Sequence, residues 1–204
     1  TSQGCNSCPP ADRLLGELAA RPDVLAISFN VDYWDYLGWK DTLGRREWTE
    51  RQRSYARSLG SRSVYTPQLV IGGAAHVVGS DRARAETQIA AARGRERLAE
   101  LRLARPVDGQ VAVEIAGTVP ARGASLWLVQ YEQSRTVSIG RGENGGRTLT
   151  YHHVATGLHR INEWRGGTEV AVIPEALRAR TAGRAAVFLQ EDGQGPILAA
   201  LLLP

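Results

Sequence analysis

A chain of 204 residues that is 43% hydrophobic can close a core without help from disulfides and is long for one compact unit, so two domains are expected. The formal charge of +4 is almost all arginine, Lys40 being the only lysine, and it is dispersed among 21 acidic residues. That pattern is a solvated surface and excludes a nucleic-acid footprint, and no stretch approaches the roughly 20 apolar residues that a membrane helix needs.

The first element carries the chemistry. Cys5 and Cys8, the only cysteines, bracket Asn6 and Ser7 and are followed by Pro9 and Pro10, which fit a first helical turn, and by Leu14, Leu15, Leu18 and Ala19 at helical spacing. A CxxC at a helix start points to a redox dithiol, because the unpaired N–H groups and positive dipole end favour a thiolate. Cys5 is then the nucleophile and Cys8 the resolving thiol. The alternatives are a structural disulfide, which over so short a loop contributes on the order of 2 kcal/mol, and a metal site. Metal binding would draw on His76 or on His152, His153 and His159; soft thiolates with His76 would suit Cu(I).

Val24 to Val31 is a near-continuous apolar run, expected as a strand buried on both faces. Phe29, Tyr33, Trp34, Tyr36 and Trp39 then place five of the thirteen aromatics within eleven residues. Trp34 and Trp39 are candidates to line a substrate groove beside the dithiol, or else form a small core under the helix predicted over 42–60. Asp32 and Asp35 in the same segment are candidate proton relays for Cys8, or simply solvated loop acids. Next, Val64 to Gly79 predicts a proline-interrupted strand, a glycine turn and a second strand. Tyr65, Thr66 and Pro67 are candidate partner-binding residues, with a cis Thr66-Pro67 bond expected. A long helix is predicted from the cap Asp81 to about Ala104.

Composition shifts at Arg105-Pro106. Short strands are predicted at Gln110–Ile115, Ser125–Tyr131, Arg135–Ile139, Arg147–Ala155, Glu169–Ile173, Ala185–Gln190 and Ile197–Leu203, in the manner of a β-sandwich. Asn144-Gly145-Gly146 predicts a turn, with no further role.

The stretches Thr1 to Asp12, Val31 to Asp41, Val64 to Gln68, Gly79 to Arg82 and Gly142 to His152 resemble a bacterial family of secreted proteins labelled only as a domain of unknown function, DUF1223. The resemblance implies an α/β thioredoxin-like N-terminal domain over 1–105, an all-β sandwich-like C-terminal domain over 106–204, and export to a periplasm or beyond. The absence of any methionine fits an expected loss of a signal peptide. No reaction comes with the resemblance. Two departures from ordinary thioredoxins stand out: Gly4 precedes the first cysteine where an aromatic is usual, and roughly 25 extra residues separate the first apolar strand from Thr66-Pro67, against the few-residue connections of α/β units. The expected activity is thiol–disulfide exchange with a protein or small thiol partner, without a cofactor. The alternatives are a non-enzymatic envelope binding protein and a copper chaperone.

Overall fold

In the computed structural model, which describes residues 1–178 and 183–204, strands outweigh helices. The helices are α1 (Pro9–Ala19), α2 (Arg46–Ser58), α3 (Arg82–Arg93) and a short α4 (Glu175–Arg178). The strands are β1 (Gln68–Ile71), β2 (Ala75–Val78), β3 (Ala99–Leu103), β4 (Ala112–Gly117), β5 (Ala124–Ser138), β6 (Thr148–Trp164), β7 (Glu169–Val172), β8 (Arg184–Glu191) and β9 (Ile197–Leu202). They form three antiparallel sheets: the hairpin β1-β2, a three-stranded sheet β3-β4-β7, and a four-stranded sheet β6-β5-β8-β9.

The α/β thioredoxin-like domain expected over 1–105 is not what forms. Among the described residues, the only sheet lying wholly in that half is the two-stranded β1-β2 hairpin. The run Val24–Val31 builds no strand: it is extended chain with a single isolated bridge, Ser28 to Val154 of β6. Ser28 N–H donates to His153 O and its carbonyl accepts from Ala155 N–H, while on the other side Val31 N–H donates to Thr1 O. With so few bonds to each neighbour, no ladder propagates, although the side chains pack as an apolar run should. The helix predicted to Ala104 ends at Gly94, where helix propensity drops. Ala99–Leu103, which carries residues of alternating burial, becomes β3.

The second half is built around β5, a 15-residue strand that merges two of the predicted short strands. Its alternate residues face opposite ways. Ala124, Leu126 and Leu128 join Leu101, Val113, Ile115, Trp164, Val187 and Leu189 in a core between the three- and four-stranded sheets. Val129 and Tyr131 face outward, where Trp48 of α2, Phe29 and Ile27 cover them together with Phe188. A third cluster joins Leu14 and Leu18 of α1 to Ile71, Val77, Ala85 and Ile89. The outer cover of the four-stranded sheet is thus supplied by the first half of the chain.

Candidate functional site

The site starts from the first turn of α1. Cys8 is its N-cap, and its carbonyl accepts from Ala11 N–H at 2.8 Å and Asp12 N–H at 3.1 Å. Cys5 and Cys8 are joined in a disulfide with their Cα atoms 5.4 Å apart, closed by Cys8 N–H donating to Cys5 O. Proline at the first helical positions has no N–H to leave unpaired, which lets the disulfide loop run straight into the helix. Both cysteines are buried, Cys5 at 4% exposure and Cys8 at 0%.

Three sets of contacts hold this loop. Gln3 N–H donates to Asp41 Oδ2 at 2.7 Å, and Asp41 also accepts from Asn30 Nδ2 and Leu43 N–H. The Gln3 side chain accepts from Trp39 Nε1 at 2.7 Å and from Thr42 N–H, and its amide donates to Thr42 Oγ1. The third set comes from far along the chain. The tip of the β5–β6 hairpin reaches over the loop, where Asn144, fully buried, donates from Nδ2 to both Gln3 O (2.9 Å) and Cys5 O (3.0 Å). Arg147 donates to Asn144 Oδ1 and to Asn6 Oδ1, and Glu143 accepts from Asn6 N–H.

Several residues singled out in the sequence come together here. Trp34 lies against Gly4, where an added Cβ would meet the Trp34 Cβ at 3.0 Å, and its Nε1 donates to Thr66 Oγ1 at 2.8 Å. The Thr66-Pro67 peptide is cis. Pro67 O accepts from Gly79 N–H, and Gly79 is wedged between Pro67 and Ala11 of α1. Gly4, Trp34, Thr66, Pro67, Gly79 and the first turn of α1 therefore form one contiguous cluster. Tyr36, 76% exposed, stacks on Trp34 with ring centroids 6.3 Å apart.

Other candidates are placed elsewhere. Trp39 bonds Gln3 and packs against Gly140 and Gly142 of the hairpin tip, so it braces the clamp. Tyr65 pairs through its hydroxyl with His76 Nδ1 at 2.7 Å. Asp32 accepts from Thr49 Oγ1 of α2 at 2.5 Å, and Asp35 accepts from Asp41 N–H at 3.0 Å; both fasten the aromatic loop. Among the described residues no group of three or more His, Cys, Asp or Glu is arranged to hold a metal, and two clefts between β5, β6 and the segment around Arg45 take no residue from the disulfide loop.

One carboxyl that sequence reasoning passed over is Asp12. It is 8% exposed, its Oδ2 has no hydrogen-bond partner, and burial pushes its pKa up to about 6. Asp41 adds to that rise, whereas the Thr1 amine and Arg13 oppose it. Tyr151 of β6 is within electrostatic reach of that carboxyl, its hydroxyl also unpartnered and its pKa raised by burial and by Asp12 and Asp41. The sequence signal was an acid in a first helical turn, where a dipole partner is the ordinary reading.

A family model described as Protein of unknown function (DUF1223) matches residues 1–190. The chain is similar to an Agrobacterium tumefaciens protein of known crystal structure, with 31% identity and a TM-score of 0.84 over 100% of this chain and 90% of that one. No curated protein matches.

Proposed function

The chain belongs to the DUF1223 family, and from its own site we propose that it carries out thiol–disulfide exchange through Cys5 and Cys8 in an oxidising, extracytoplasmic compartment. The observation that carries this reading is the disulfide at the N-terminus of α1, with Trp34 against Gly4 of the same loop and bonded to Thr66, and with Pro67 linked to Ala11 of α1 through Gly79. In the reduced state the positive end of the α1 dipole favours a Cys5 thiolate. That thiolate attacks a partner disulfide and Cys8 then displaces the partner, which leaves as a thiol. Trp34, against Gly4 of the disulfide loop, and Thr66 and Pro67 next to it are the residues that would receive the partner. The disulfide supports an oxidising compartment, where such bonds persist.

A second reading has its own observation: both cysteines lie buried beneath the hairpin tip, which suits a static bridge in a binding protein. Equilibration of the pair in glutathione buffers, with Cys8→Ser examined for a mixed disulfide on Cys5, separates the two. Exchange predicts a midpoint within roughly −120 to −270 mV and a trapped adduct. A midpoint below about −300 mV with no adduct would establish the static bridge.

A further inference from the structure

Resting on the exchange reading, we propose that Asp12 is the proton acceptor for Cys8, taking the thiol proton when Cys8 resolves a mixed disulfide and returning one when the Cys5–Cys8 bond is opened. Cys8 has no exposed surface, so bulk base has no route to its proton and an acceptor inside the protein is required. Cys8 and Asp12 stand four residues apart, with Asp12 N–H bonded to Cys8 O. Side chains at that spacing share one helix face with Cβ atoms about 6 Å apart, and here both are on the buried face. The Asp12 carboxyl has an unpartnered oxygen, which is costly to bury without a use for it. Asp32 and Asp35, the acids nearest in the aromatic loop, are spent on Thr49 Oγ1 and on Asp41 N–H.

The step balances as follows. A disulfide-bearing partner has already accepted attack by Cys5, leaving a Cys5–partner mixed disulfide and one partner thiolate. Cys8 S–H gives its proton to Asp12 carboxylate, directly or through one water. The Cys8 thiolate then attacks Cys5 Sγ, the Cys5–Cys8 bond forms, the Cys5–partner bond breaks, and the second partner sulfur leaves with the pair of electrons and takes the proton from Asp12. The dithiol is oxidised and the partner disulfide reduced. A pKa near 6 leaves the carboxyl ionised at neutral pH yet basic enough to share a proton. Burial sets it first; Asp41 from the loop after the aromatic cluster raises it further, Thr1 from the segment before the disulfide and Arg13 on α1 itself lower it, and Tyr151 of β6 feels its charge.

The test mixes reduced protein with glutathione disulfide, quenches in acid, and follows the Cys5–glutathione adduct and the closed disulfide by mass spectrometry across pH 5 to 8. In Asp12→Asn the adduct should form at the wild-type rate and accumulate. Closure should slow by about 100-fold and lose the Asp12 inflection, with Asp12→Glu restoring part of both. Closure of Asp12→Asn at the wild-type rate and with the wild-type pH profile overturns the proposal. A wild-type protein that never forms the adduct instead overturns the exchange reading. Should Asp12→Asn fail to fold, carboxyl ¹³C titration of the wild type decides: an Asp12 curve that moves between oxidised and reduced protein supports the coupling, and coincident curves overturn it.

Discussion

At the residue scale, two buried side chains decide how the disulfide loop is held, and each makes a measurable prediction. Asn144→Ala removes the shared donor of Gln3 O and Cys5 O and the acceptor of Arg147. Cys5 O keeps the Cys8 N–H, but Gln3 O is left unpaired in a buried place, which costs about 2 kcal/mol. Urea denaturation should register that loss, and dithiothreitol should reduce Cys5–Cys8 faster in the variant, because the hairpin tip no longer pins the loop. Asp12 makes stability depend on pH. Its pKa rises on folding from the ordinary 3.8 to about 6, so the native state binds the proton more tightly than the unfolded chain. The resulting stabilisation is complete below about pH 3.8 and is lost as pH rises through about 6, a total of about 3 kcal/mol. Asp12→Asn should remove that slope when urea midpoints are compared between pH 4 and 7. Spacing and residue type single out the cysteines, Trp34, Thr66 and Pro67 in the sequence, and the fold places Trp34 against Gly4 and bonds it to Thr66. Asn144 was not legible there: its partners lie 141 and 139 residues away, and Asn-Gly-Gly is explained locally by a turn alone.

At the element scale, apolar runs were legible but their pairing was not. Val24–Val31 has the composition of a central strand and is packed like one by its side chains, with Ala26 in one core and Ile27 and Phe29 against another. What a sequence run cannot display is the neighbour, and here each flank supplies too few backbone bonds to extend a ladder. The same blindness split β5 at the exposed stretch Gln133 to Thr136, where polarity reads as a turn although β6 pairs alongside it almost throughout. Glycines report pairing more directly. Gly117 ends β4 at φ +139°, paired with Ala99 of β3, and a Cβ there would sit 2.2 Å from Leu98 O. Backbone atoms cannot yield as a flexible side chain can, so Gly117→Ala should cost about 3 kcal/mol. Gly146, at φ +80° with nothing within 4 Å of an added Cβ, should cost only about 1 kcal/mol as alanine. A pair of urea titrations that failed to rank the two in that order would contradict the β3–β4 register.

At the scale of the whole molecule, the two halves of the chain complete each other. Trp48 and Phe29 from the first half close over Val129, Tyr131 and Phe188. Gly16 of α1 lies so close to His152 of β6 that an added Cβ would stand 2.6 Å from the imidazole. Ile197 N–H donates to Gly72 O, tying β9 to the β1-β2 turn. The hairpin tip holds the disulfide loop itself. Each of these joins residues more than eighty positions apart, and none survives if the chain is cut near Arg105. The first half alone would retain the Leu14–Leu18–Ile71–Ile89 cluster but expose the apolar side of Trp48, Phe29 and Ile27, while its only complete sheet is a two-stranded hairpin, which is marginal in water. Residues 1–105 expressed alone should therefore show no cooperative urea transition and should bind a hydrophobic dye, whereas the intact chain should unfold in a single transition followed identically by fluorescence and circular dichroism. A fragment that unfolds cooperatively near the midpoint of the intact chain would make the halves independent. In that case loosening the hairpin tip could free Cys5 without any cost to the sheets, whereas in a single cooperative unit access to the disulfide is set by the stability of the β5–β6 hairpin that covers it.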